Sequence, residues 1–99
     1  RADDAFDYPG DVHIHPIIFR TPLGQTPQIA EYQVRQTEGG AAIGVVAAGP
    51  VDVAELRQEL VDALAKASLP KAEIEINLVD SLERHKETGK LRRFIPLER

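Results

Sequence analysis

DVAELRQELVDALAKASLPKAEIEINL, residues 52–78, carries two periodicities in succession. First, Val53, Leu56, Leu60, Leu64 and Ala67 fall at the three-and-four spacing of one helical stripe, with Arg57, Glu59, Asp62 and Lys66 mainly off it. Asp52 supplies an N-cap oxygen, Glu55 follows three residues on as in a capping box, and Pro70 stops the helix. Then Ala72, Ile74, Ile76 and Leu78 alternate with Lys71, Glu73, Glu75 and Asn77, the period of a half-buried strand. An amphipathic helix leading into a strand with one hidden face points to helices covering one side of a small sheet.

Working outward, residues 41–48 are nearly all apolar, which predicts a central strand covered on both faces. Glu38-Gly39-Gly40 reads as a hairpin turn. Before it, residues 29–37 read as a strand with Tyr32 and Val34 on one face and Glu31, Gln33 and Arg35 on the other. Nearer the N-terminus, two short strands at 5–9 and 11–15 flank Tyr8-Pro9-Gly10-Asp11, where Gly10 supplies a backbone angle that other residues resist. Pro16 then opens a short helix with Ile17, Ile18 and Leu23 as its apolar side; Pro22 leaves its continuation open, and Gly24 to Pro27 closes it. Beyond the central segment come a polar loop, Arg84-His85-Lys86-Glu87-Thr88-Gly89-Lys90, and a short mixed tail at 91–97. The expectation is one α+β domain over residues 1–99. It has a mostly antiparallel three-stranded sheet, two amphipathic helices, and a short N-terminal β-hairpin hanging off it.

Composition bounds the function. The chain has 99 residues, 42% of them hydrophobic and 28% charged, which is ordinary globular usage rather than disorder. The formal net charge is −4, and the one dense basic cluster, residues 86–93, is too short for a phosphate-tracking face, so nucleic acid is not an expected partner. No apolar run approaches the roughly 20 residues that span a bilayer. There is no cysteine, which excludes a disulfide framework, a thiolate zinc site and a cysteine nucleophile, and fits a cytoplasmic location. Methionine is absent too, and Arg1 stands inside what reads as a motif, so the chain is expected to be a piece of a longer protein.

Three groups of residues have chemical potential. In Glu87-Thr88-Gly89-Lys90-Leu91-Arg92-Arg93, Gly89 allows a sharp turn, Thr88 offers a hydroxyl, and Lys90 is a compact cation on a long stem. On local sequence alone a solvated basic loop is the simpler reading, with an anion-binding cluster as the other. Arg1-Ala2-Asp3-Asp4 is locally indistinguishable from a frayed terminus. His13 and His15 share one side of a strand, but a metal site needs a third ligand, and a polar pair or a domain-junction site is the simpler reading. No P-loop, dinucleotide fingerprint or serine triad is present.

The two ends together carry more. Arg1-Ala2-Asp3-Asp4 followed by Tyr8-Pro9-Gly10 resembles the hinge segment of the adenylate-forming superfamily, and Thr88-Gly89-Lys90-Leu91-Arg92-Arg93 resembles its C-terminal Ser/Thr-Gly-Lys-x-x-Arg motif. Between them, His15-Pro16-Ile17-Ile18-Phe19-Arg20 and Glu31-Tyr32-Gln33-Val34 are similar to phenylacetate–CoA ligase-like members. The resemblance implies the mobile C-terminal domain of an ATP-dependent acyl- or aryl-CoA ligase. It divides the chain into a hinge and hairpin (1–10), the body, and a catalytic-lysine loop and tail (84–99). It implies Lys90 as the catalytic residue, supported by Thr88 and Gly89, with Asp3 as hinge, Arg1 as nucleotide-binding and Gly10 at the acyl-thiol tunnel. ATP and Mg2+ would be held mainly by an N-terminal adenylation domain of the same chain. The substrate would be a carboxylic acid, with an aromatic one suggested by the phenylacetate likeness, and the acceptor coenzyme A or a carrier-protein pantetheine. Tyr8-Pro9 stands where the family usually has a basic residue before the hairpin glycine. By itself the domain would be inactive. The competing expectation is a free-standing α+β binding or dimerisation module.

Overall fold

The computed structural model describes residues 5–82 and 93–97. In chain order the elements are β1 (Phe6–Tyr8), β2 (Val12–Ile14), α1 (Ile17–Gly24), β3 (Ile29–Gln36), β4 (Gly40–Ala47), α2 (Val53–Lys66), β5 (Glu73–Leu78) and β6 (Phe94–Ile95). The class is α+β as the sequence implies, but the main sheet differs from expectation. It has four strands in the order β5-β4-β3-β6. Only β3 and β4 pair antiparallel; β4 with β5 and β3 with β6 are parallel. Both departures have a physical cause. Helix α2 carries the chain from the end of β4 back to its start, and such a crossover delivers the next strand parallel. The tail becomes a strand because Phe94, 9% exposed, buries its ring beside Val34, its partner in register.

Helix α2 forms as its pattern requires. The Asp52 carboxylate accepts from the Glu55 N–H at 3.1 Å, and Leu56, Leu60 and Leu64 are buried. It ends before Pro70 can act. Ser68 adopts φ 80°, its N–H donates to Ala65 O at 3.3 Å, and the Leu69 N–H reaches back to Leu64 O at 2.8 Å. This is a Schellman closure with serine in the left-handed position usually given to glycine.

Helix α1 keeps Leu23 and part of Ile18 on its hidden side as expected, but turns Phe19 rather than Ile17 inward. Phe19, Pro22 and Leu23 are buried, while Ile17 is 45% exposed and Ile18 half-buried. The helix runs through Pro22, whose side chain is buried, and ends at Gly24, where the Gly24–Pro27 stretch is expected to close it.

The central strand β4 alternates more than its composition suggests. Ala41, Ile43 and Val45 are buried, and Ala42, Gly44 and Val46 are half-buried, with the Leu82 side chain lying close over Gly44. On β5 the alternation fades along the strand, from Ile74 at 8% exposure to Leu78 at 56%. The two helices touch each other, α1 also packs on β3 and α2 on β5, and their buried side chains join the sheet in one hydrophobic cluster.

The N-terminal hairpin does not hang off the body. Phe6, Tyr8 and Ile14 belong to that same cluster. The Phe6 ring lies 5.4 Å from Phe19 and 6.4 Å from Phe94, centroid to centroid, in tilted and edge-on geometry that suits aromatic quadrupoles. Among the described residues, no helix is long and apolar enough to cross a membrane.

Candidate functional site

Of the sequence-predicted site residues, Gly10 lies within the described structure; Arg1, Asp3, Thr88, Gly89 and Lys90 lie outside the described residues. Gly10 crowns the turn joining β1 to β2. Its φ is +87°, it is exposed, and a Cβ added there would meet nothing within 4 Å. The turn therefore needs glycine for its backbone angle, and the surrounding space leaves room for close approach by another molecule. Asp11 beside it also takes a positive φ, 60°, as acidic and amide side chains tolerate.

The base of this hairpin is fixed by polar contacts in addition to ring packing. Tyr8 is 5% exposed, and its hydroxyl donates to Gly40 O at 2.7 Å. Burial pushes the phenol pKa well above its ordinary range, so this group is a neutral donor. Among the described residues, Gln36 is the buried polar residue of the core, 4% exposed. Its Nε2 donates to the Asp7 carbonyl at 2.6 Å, and its Oε1 accepts the Leu97 N–H at 3.1 Å. Each end of the amide meets the partner its chemistry requires, which also fixes its orientation.

The tail that re-enters the sheet after the predicted lysine loop is held at several points. The Val34 N–H donates to Arg93 O at 2.6 Å. The Arg93 guanidinium lies 5.2 Å from the Tyr32 ring centroid, and that of Arg20 lies 5.9 Å from the Phe94 ring, both within cation–π range. Between hairpin and tail runs a cleft of about 360 Å³, lined by Ala5, Asp7, Tyr8, Pro9 and Gln36 on one side and by Pro96 and Leu97 on the other.

The two strand-side histidines have separate tasks. His13 Nδ1 pairs with Asp7 Oδ1 at 2.6 Å on the surface, whereas His15 Nδ1 accepts the Ile17 N–H at 3.2 Å where α1 begins. The described residues contain no group of three or more metal-ligating side chains.

Sequence reasoning overlooked Gln36 and the buried role of Tyr8. A signal for Gln36 was present. It lies two residues beyond Val34 and four beyond Tyr32, on the face already read as inward, so a polar group there needs buried partners.

No protein-family model matches the chain, and neither does any curated protein. Solved structures do. O-succinylbenzoate coenzyme A synthetase from Bacillus subtilis, in its unliganded form, is similar at 28% identity and a TM-score of 0.60, over 86% of this chain and 17% of that one. A domain of phenylacetate–coenzyme A ligase from Bacteroides vulgatus matches with a TM-score of 0.59 at 20% identity, covering 97% of this chain and 94% of that one. 2-Hydroxyisobutyryl-CoA ligase, solved in a postadenylation state with R3-HIB-AMP, matches with a TM-score of 0.58 at 22% identity, over 97% of this chain and 22% of that one. The chain thus spans about a fifth of the two longer ligases and nearly all of the separately solved domain. The chain therefore has the fold of a domain found in these coenzyme A ligases, which is consistent with the C-terminal domain of an adenylate-forming enzyme.

Proposed function

We propose that the chain is the mobile C-terminal domain of an ATP-dependent acid–thiol ligase, closing over an adenylation site and then rotating for thioester formation. The observation that carries this reading is positional. Two motifs resembling functional segments of that superfamily stand at opposite ends of a chain whose fold matches its members over almost the full length.

In this reading the N-terminal domain holds ATP, Mg2+ and the carboxylic acid. Lys90 enters the closed site on its long stem and contacts the reacting carboxylate and the α-phosphate. A fixed positive charge there stabilises the charge that develops as the carboxylate oxygen attacks phosphorus and pyrophosphate departs. Thr88 and Gly89 shape its loop. Asp3 absorbs the backbone change between the two states, and Arg1 contacts the ribose. In the second state the Gly10 turn faces the incoming thiol, which attacks the acyl carbon and displaces AMP. A projecting turn with open space around its Cα suits that approach. The thiol belongs to coenzyme A or to a carrier-protein pantetheine; the uncharged Tyr8-Pro9 before Gly10 leaves both open.

The test is Lys90→Ala in the ligase that contains this domain. Loss of one such electrostatic contact is expected to lower ATP–pyrophosphate exchange by about 10²–10³-fold. Thioester formation from a supplied acyl adenylate is expected to persist. Thermal stability should move by less than about 0.5 kcal/mol. Exchange at the unaltered rate in a folded variant would overturn the proposal.

A further inference from the structure

The Gln36 amide joins two segments far apart in sequence. Asp7 lies in the strand that leads to the Gly10 turn, and Leu97 lies in the tail just after β6. The amide bonds to main-chain groups of both, at 2.6 Å and 3.1 Å, from a position only 4% exposed at the floor of the cleft between them. A surface glutamine would exchange such partners with water, whereas a buried one that loses them leaves polar groups unsatisfied. Hydrogen bonds to main chain also fix where a segment runs whatever its side chains are.

We infer that Gln36 is a positioning residue that holds the hairpin and the tail in fixed mutual register, so that the two working ends of the domain move as one body. The inference rests on the ligase reading given above. In that reading the hairpin serves thioester formation, and the tail follows directly in sequence on the segment that serves adenylation. A single rotation can present either end in turn only if the two do not shift relative to each other. Ring packing of Phe6 on Phe94 also joins them, but apolar contact is non-directional and tolerates sliding. Two hydrogen bonds from one rigid amide do not.

Gln36→Met keeps the length and volume of the side chain and removes both bonds. In the 99-residue chain, the Leu97 amide is expected to exchange with solvent about five- to tenfold faster in this variant, as loss of one hydrogen bond implies. Amides of Leu60 and Leu64 in α2 should keep their rates. An unchanged Leu97 rate would overturn the coupling whatever the protein's activity proves to be. A comparable structure of a ligase domain solved by itself supports using the separate chain for this measurement.

In the full ligase, misplacement of working groups by this variant should lower kcat of both half-reactions by about tenfold to a hundredfold. KM for ATP should stay within about twofold, since in the ligase reading ATP is held mainly by the N-terminal domain. Leu97→Pro removes the tail donor alone, and the double variant should lose no more adenylation activity than Gln36→Met does, because the Gln36–Leu97 bond is already lost in Gln36→Met. Additive losses, or a change confined to KM, would overturn the positioning role. If Lys90→Ala leaves pyrophosphate exchange intact, the ligase reading fails, and the Leu97 exchange rate still decides the register.

Discussion

Gly40 tests the packing more sharply than any core residue. It opens β4 opposite Glu73 of β5, and the two backbones approach so closely that an added Cβ would overlap the Glu73 carbonyl oxygen. The same Cβ would lie 2.6 Å from the Glu73 carbonyl carbon and 2.7 Å from its nitrogen. Ordinary carbon contacts sit at about 3.5–4.0 Å, so Gly40→Ala must drive the start of β5 away by roughly 1 Å. The obstacle is main chain and cannot rotate aside. Overpacking of this kind costs about 1–3 kcal/mol. The shift also strains the Glu73 N–H bond to Gly39 O, now 2.9 Å long, which adds about 1 kcal/mol. The total is about 2–4 kcal/mol, or a fall in Tm of roughly 10–30 °C for a domain of this size. The neighbouring glycine is the control. At Gly39 the added Cβ would meet the Glu73 side chain at 3.6–3.8 Å, an ordinary contact. Gly39→Ala should therefore change stability by no more than about 1 kcal/mol, in the stabilising direction if unfolded-chain entropy dominates. Thermal and urea unfolding of both variants decides the matter. Equal effects at the two positions, or a Gly40→Ala loss below about 1 kcal/mol, would refute the argument from close approach.

Two further outcomes follow from the same structure. Tyr8→Phe gives up the hydroxyl bond to Gly40 O, which keeps the Thr37 N–H at 3.1 Å as a second partner, so the loss should be about 0.5–1.5 kcal/mol. Because burial raises the folded phenol pKa, the unfolded chain ionises first; the wild type should lose stability as pH rises above about 10, and Tyr8→Phe should flatten that decline in melts from pH 8 to 11. Ser68→Gly relieves a left-handed serine at φ 80° and should raise stability by about 1 kcal/mol in urea titrations; a destabilised variant would show that the serine is not strained there.

What the sequence determined by itself is local. The stripe through Leu56, Leu60 and Leu64, the Asp52 cap, the alternation at Ile74 and Ile76 and the glycine demanded by the Gly10 turn all express short-range periodicity or backbone sterics. The motif pair at the two ends is likewise a matter of residue order alone, and apart from the Tyr8-Pro9-Gly10 turn it lies outside the described residues. Tertiary structure decided what depends on partners distant in the chain. Gly39 and Gly40 read as two equivalent turn residues, yet neither takes a positive φ, and only the arrival of β5 makes Gly40 obligatory. The residues around Pro22 have apolar groups on more than one side, and it took packing against α2 and β3 to select Phe19 and Leu23 over Ile17. The tail at Phe94 and Ile95 is too short for its own period to announce a strand; β3 supplies the hydrogen bonds that make it one. Gln36 shows the same division within one residue. Its place on the inward face was written in the spacing from Tyr32, but which carbonyl and which N–H it would satisfy depended on contacts 29 and 61 residues away.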